Sequence, residues 1–312
     1  MSGLLGPLLV LTFCLSQAFR DVYLGHLFQG VDFFAIILLA FVLSTAIFAP
    51  IAFTKARAEW AIVRKHWRDV AAMNVTTAIA WSCYFFGLTH LEPSIVNTIH
   101  SGMAPLAVAA LGVAGIKLAQ PQRIGGAEWA SYGGIALSIA ALWGVVLTER
   151  SGVATLDPQT ATEALGLLIV GGTSITVSLL YAKRLNDLGV GSAMVTTVRY
   201  ILIIAVAAVV EIARGGPSGI HGIGNAGFLA VATTALIVLP LYAMQVGTAL
   251  TPPLTAQIIR ALGPVFVFAL ESFDRRLHYS ASVLACILAY SAFVIAGNFV
   301  HGWRSAPRPL KV

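Results

Sequence analysis

Runs of about twenty apolar residues recur from Leu4 to Val300, separated by brief polar gaps. A helix that crosses a bilayer needs about 20 such residues, because only a helix or a closed barrel satisfies its backbone polar groups without water. The chain is 58% hydrophobic and 10% charged, whereas soluble domains carry roughly 25% charged residues. No globular core could enclose that much apolar surface, so the expected fold is all-α, integral to the membrane. Hydropathy and breaker residues place ten transmembrane helices near 4–19, 31–54, 70–90, 93–116, 128–148, 163–182, 193–212, 226–248, 253–271 and 279–301. The first run has no basic leader and reads as a helix rather than a removed signal peptide. The connections leave no room for an extramembrane domain; the longest, 55–69, is basic. Residues 1–312 therefore form one membrane domain, with 302–312 as a cytoplasmic tail.

The formal charge of +6 sits in short loops beside apolar runs, where it sets orientation rather than recruiting nucleic acid. Twelve Lys and Arg fall on the side that holds both termini (Lys55, Arg57, Arg64, Lys65, Arg68, Lys117, Arg123, Lys183, Arg184, Arg304, Arg308 and Lys311). Five fall opposite: Arg20, Arg150, Arg214, Arg275 and Arg276. Cytoplasmic loops retain basic residues, so both termini are expected in the cytoplasm. Cys14, Cys83 and Cys286 lie in apolar runs without the short spacing of metal or redox motifs, and no metal or cofactor is expected.

The chain carries a weak internal repeat. Shifted by 159 residues, Leu91-Glu92-Pro93 meets Leu250-Thr251-Pro252 and Pro105 meets Pro264. These positions lie in spans four and nine of two halves of five. An odd number of spans per half turns the second copy upside down, so the fold is read as two inverted five-helix repeats, about 4–148 and 163–301. Inverted repeats recur in secondary transporters because equivalent halves support two states of similar energy.

The span count, short loops, basic loop after span two and the stretch Leu250-Thr-Pro-Pro-Leu-Thr-Ala-Gln-Ile-Ile-Arg-Ala-Leu-Gly-Pro264, closing on Glu271, resemble the drug/metabolite transporter superfamily, in its EamA-type branch of ten-helix exporters. The likeness covers about residues 4–301. It departs from the family where Leu270 precedes the acid and where the first repeat lacks a matching acid. The resemblance implies a multi-pass protein of the bacterial inner membrane that exports small polar or amphiphilic metabolites, amino acids foremost, by alternating access. Uptake or facilitated diffusion of a vitamin, nucleotide-like or sugar-like metabolite stays open, as does a non-transporting scaffold.

Within the spans, Arg260 is the residue whose position most needs explaining. A cation at mid-span costs about 2.5–3.5 kcal/mol on insertion scales unless it meets a partner or a wet cavity. Gln257 lies one turn earlier on the same face, and Asn97, His100 and Ser101 occupy the matching part of span four. Together they are expected to bind substrate, Arg260 meeting a carboxylate; the alternative is an ion pair with Glu92 or Glu211 that braces the bundle. Trp81, Tyr84 and Tyr242 are candidate cavity walls, while Trp60, Trp67, Trp129 and Trp303 are placed as interfacial anchors. Pro105 and Pro264 should kink spans four and nine, as packing or gating elements. Arg199 reads as structural, and His90 and Glu92 as solvated at the interface. Gly222-Ile-Gly-Asn-Ala-Gly227 mimics a dinucleotide motif but has no βαβ context, and Asn74-Val-Thr76 is a glycosylation acceptor buried in a span. There is no Walker A sequence. No nucleophile with a base and no paired acids stand at one depth, so no enzyme is expected.

Overall fold

A computed structural model describes residues 2–24, 33–54, 56–116, 118, 125–152, 157–214, 234–251, 253–274 and 278–305. All regular structure among the described residues is helical. The α-helices are α1 (Ser2–Phe19), continued by a π-helical turn (Arg20–Leu24), α2 (Phe33–Thr54), α3 (Ala56–Lys65), α4 (Trp67–His90), α5 (Pro93–Val113) and α6 (Gly126–Leu147). The second half holds α7 (Pro158–Asp187), α8 (Ser192–Arg199), α9 (Ile201–Ala213), a π-helical turn (Thr234–Val238), α10 (Leu239–Leu250), α11 (Pro253–Ala261), α12 (Gly263–Glu271) and α13 (Ala281–Ser305). Among the described residues, eight helical stretches are long and apolar enough to cross a membrane.

Local chemistry sets the boundaries. Pro93, Pro158 and Pro253 open helices, where a missing N–H leaves no bond unmade. Asp157 caps α7 by accepting from Thr160 N at 3.1 Å. At the start of α6, Glu128 Oε2 accepts from Gly125 N at 2.6 Å. The break at Tyr200 between α8 and α9 is bridged by Asn74, whose amide donates to Val198 O at 2.7 Å and accepts from Leu202 N at 3.1 Å. The Asn of the acceptor-like triplet thus supplies both halves of a missing backbone bond.

The structure differs from the expected boundaries in several places. The basic stretch after α2 is the amphipathic helix α3. Pro105 lies inside the continuous helix α5, whereas Pro264 starts α12 after the chain breaks near Leu262, so it begins a helix instead of bending one. The turn expected at 222–227 and the start of the eighth span lie outside the described residues.

Long contacts pair α4 with α7, α6 with α13, α1 with α10, and α2 with α8 and α9; α5 and α11–α12 cross between them. The main core joins Phe41, Tyr84, Phe85, Leu88, Ile99 and Leu165. Leu8, Phe53, Leu137 and Val209 point outward, as a lipid-facing shell requires. Close helix pairs depend on small residues. A Cβ on Gly134 of α6 would enter the Phe293 ring of α13, and Ser131 Oγ donates to Phe293 O at 2.6 Å.

Two ends can be distinguished. At the termini end, Gly6 lies against Leu250 and Thr251, and Arg184 of α7 meets Asp69 of α4. At the far end, Glu92 accepts from Gly152 N, His278 N donates to Gly152 O at 3.2 Å, and Ser280 Oγ donates to Arg150 O at 2.6 Å.

Replacing Gly134 with Leu is expected to separate α6 from α13 and lower stability by about 1–3 kcal/mol. Gly133→Leu, where nothing lies within 4 Å of the new Cβ, should be silent. Thermal unfolding of the two variants in detergent measures the difference.

Candidate functional site

Polar side chains within the bundle gather in two places. The first is a groove of about 300 Å³ between α5, α6, α11 and α13, in the half of the molecule nearer the termini end. Arg260 and Gln257 of α11 line it, with Ser101 and Pro105 of α5, Glu128, Ser131 and Tyr132 of α6, and Tyr290 and Asn298 of α13. Arg260 is exposed to this groove, and among the described residues no carboxylate lies within 4 Å of its guanidinium nitrogens. Glu128 faces the same space while its Oε2 holds the start of α6. The groove therefore presents the Arg260 cation beside amide, hydroxyl and phenol groups, and no salt bridge joins Arg260 to Glu128.

The second is a buried ionic cluster toward the far end. Asp21 is fully buried and receives four hydrogen bonds. Its Oδ1 accepts from Arg20 Nε at 2.9 Å and Nη2 at 2.6 Å; its Oδ2 accepts from Tyr84 OH at 2.5 Å and Asn97 Nδ2 at 3.1 Å. The Arg20 guanidinium lies 5.7 Å from the ring centroids of both Trp81 and Tyr84, within cation–π range. The His100 ring stands 4.7 Å from that of Tyr84. Trp81 Nε1 and His100 Nε2 are buried without hydrogen-bond partners among the described residues. Nearby, Glu271 Oε1 accepts from Ser94 N at 2.7 Å and so caps α5 from across the bundle.

The expected binding residues are thus divided. Arg260, Gln257 and Ser101 share the groove, with Pro105 in its wall; Asn97, His100, Trp81 and Tyr84 gather instead around Arg20 and Asp21. The physical reason lies along α5: Asn97, near its far-end start, donates to Asp21 and His100 stands against Tyr84, whereas Ser101 and Pro105 lie deeper and line the groove beside α6. Tyr242 belongs to neither place; it is half-exposed, 6.2 Å from the ring of Phe48. Pro264 is buried at the start of α12, outside the groove lining.

Arg20 is not a loop residue but is 3% exposed inside the bundle, which removes it from the loop charge count. Arg260 does not brace the bundle through Glu92 or Glu211. Arg199 does have a structural setting, its Nε donating to Thr77 Oγ1 at 3.1 Å. Glu92 is also buried, holding Gly152, and does not lie solvated at the interface.

Sequence reasoning missed Arg20, Asp21, Glu128, Tyr132 and Asn298. One signal for the first pair existed: apolar sequence resumes at Val22-Tyr23-Leu24, so the charges interrupt a span and do not end it. Glu128 and Tyr132 are four residues apart on one helical face, but nothing local says what that face meets.

No family model matches the sequence, and no curated protein matches it. Nine chains of solved structures match. One crystal structure aligns over 98% of this chain and 99% of its own length, with a TM-score of 0.59 at 17% identity. That likeness concerns the fold. The chain is an all-helical, multi-pass membrane protein.

Removing the Asp21 carboxylate strands the Arg20 charge in the interior, a loss of about 3–5 kcal/mol for a broken buried pair. Asp21→Ala is therefore expected to destabilise more than Tyr84→Phe, which removes the hydrogen bond to Asp21, about 1.5–3 kcal/mol, and a long one of 3.4 Å from Arg20. Replacing both members, Arg20→Met with Asp21→Leu, should recover part of the loss. Unfolding in detergent followed by tryptophan fluorescence gives the order.

Proposed function

We propose that the chain is a secondary transporter of the EamA type, with ten crossings in two inverted five-helix halves, exporting small zwitterionic or amphiphilic metabolites such as amino acids across the bacterial inner membrane. The observation that carries this reading is Arg260, held in a polar groove without a carboxylate partner among the described residues. A charge at such depth is tolerated where it meets a wet cavity or a ligand. Gln257, Ser101 and Tyr132 line the same groove, so a solute whose carboxylate meets Arg260 also finds amide, hydroxyl and phenol partners. Its volume of about 300 Å³ matches the small end of ligand pockets.

Two further features support the inverted repeat. Renumbering spans one to five as six to ten turns most of the strong packing pairs into one another. Contact of span three with six becomes eight with one, four with six becomes nine with one, and two–seven, four–nine and five–ten map onto themselves. The details follow: a Cβ on Gly87 in span three would meet the Leu168 side chain in span six at 2.6 Å, and one on Gly247 in span eight would meet Leu9 in span one at 3.0 Å. Leu91 N and Thr251 Oγ1 each donate back to these glycine carbonyls, at 2.8 and 2.6 Å. The helix starts Pro93 and Pro253 are 160 residues apart, one more than the register read from Pro105 and Pro264. The two remaining crossings would be 234–250 and the broken pair 253–271. At 1.5 Å per residue they reach about 26 and 28 Å, close to the thickness of the hydrocarbon core.

The basic bias puts the termini end in the cytoplasm. The groove then lies on the cytoplasmic side, while the Asp21 cluster, Glu92–Gly152 and Glu271–Ser94 close the far end. That is the arrangement of an inward-facing state in alternating access.

In proteoliposomes loaded with labelled amino acids, wild-type protein is expected to move one or a few of them. Arg260→Gln, inserted and folded normally, should lose roughly 10- to 100-fold of that flux, as for a lost charge-assisted hydrogen bond. Flux measured in both directions separates export from uptake. Unchanged transport by the variant would overturn the role of Arg260, and absence of any flux would overturn the substrate class.

A further inference from the structure

A second recess lies at the termini end, where α3 passes into α4 beside the last turns of α7. It has a volume of about 370 Å³ and is lined by Lys65, His66, Trp67, Arg68, Asp69 and Arg184. We propose that this recess binds the phosphate of an anionic phospholipid headgroup in the leaflet at that end.

Charge is the first argument. Lys65, Arg68 and Arg184 against Asp69 leave the lining at +2 with His66 neutral. The carboxylate orders the recess more than it neutralises it. Asp69 Oδ2 lies 3.4 Å from both His66 Nδ1 and Arg184 Nε, which draws an arginine from α7 to the start of α4. Arg184 keeps about half of its side chain exposed. Its neighbour Lys183 shows the contrast, being matched by Asp187 at 2.8 Å on the same helix.

Position is the second argument. α3 is amphipathic: Val63 is buried in a small core that Trp60 and Ile62 join, while Arg64 and Lys65 are exposed. A helix of this kind lies in the plane of the interface with its basic face among headgroups. Trp67, 62% exposed, follows directly, and the Arg68 guanidinium lies 5.6 Å from its ring centroid. An exposed indole paired with a cation at the end of an apolar helix sits at headgroup depth. Cations that serve only to orient the chain have no reason to converge. Here three of them, from α3, α4 and α7, face one concave space, as basic recesses that hold lipid headgroups do.

The test uses full-length protein in nanodiscs of phosphatidylcholine with a minor fraction of phosphatidylglycerol, followed by native mass spectrometry of retained lipid. Wild type is expected to retain phosphatidylglycerol selectively. Each of Lys65→Gln, Arg68→Gln and Arg184→Gln should weaken retention roughly fivefold, the effect of one basic residue near an anionic surface. Lys183→Gln should leave retention unchanged. Thermal unfolding in pure phosphatidylcholine, equal for all four variants, shows that they are folded; Arg68→Gln, at an exposed position, keeps the test valid if Arg184→Gln is not. Equal retention by wild type and the three recess variants overturns the proposal. So does displacement of the lipid by millimolar inorganic phosphate, which would mark a site for soluble anions.

Discussion

Inside a bilayer no water repairs a missing backbone hydrogen bond, and most of the irregular features of this protein answer to that constraint. At several helix starts and breaks a side chain closes the gap. Asn74 bridges Val198 and Leu202 across the break at Tyr200, and Glu271 caps α5 through Ser94. Glu128 holds Gly125, Asp157 holds Thr160, and Glu59 holds Gly191 at 3.1 Å. Several of the sparse acids are therefore committed to helix ends. Asn74, Glu271 and Glu59 tie separate elements in this way, whereas Glu128 and Asp157 act within their own helix starts.

The same economy explains where charge is left over. Arg20 and Asp21 neutralise each other and spend the remaining acceptor capacity of the carboxylate on Tyr84 and Asn97, which joins α1, α4 and α5 into one unit. Arg260 has no comparable acid within reach among the described residues and lines a groove instead. A buried pair of this kind contributes little net stability but penalises any packing that separates its members. A cation without such a partner is tolerated where it faces a wet groove, and Arg260 lines one.

Much of the membrane architecture was legible in the chain. The apolar runs located the helices to within a few residues, since the length needed to cross hydrocarbon is a local property. The proline at the start of α5 and the exceptional position of Arg260 could also be read locally, whereas the helix at 56–65 was expected only as a basic connection. The grouping of candidate residues could not. Asn97, His100 and Ser101 are neighbours in sequence, yet Asn97 meets Asp21 and His100 meets Tyr84, while Ser101 lines the groove that Glu128 also lines. Arg20 and Asp21 look like a loop because charges usually end a span, and only the packing of α4 and α5 against them reveals that the span continues.

The sequence by itself determined the solvent of this protein, the approximate limits of most of its apolar helices, and the presence of an arginine within one of its apolar runs. Hydrophobic length and helix-breaking residues act within one segment, so no knowledge of neighbours is required. The tertiary structure decided which helices pair, that Arg20 is neutralised while Arg260 is not, and that three distant basic residues share one recess. Those outcomes depend on rotation and depth of whole helices against one another, and lipid-facing apolar residues place almost no restriction on either.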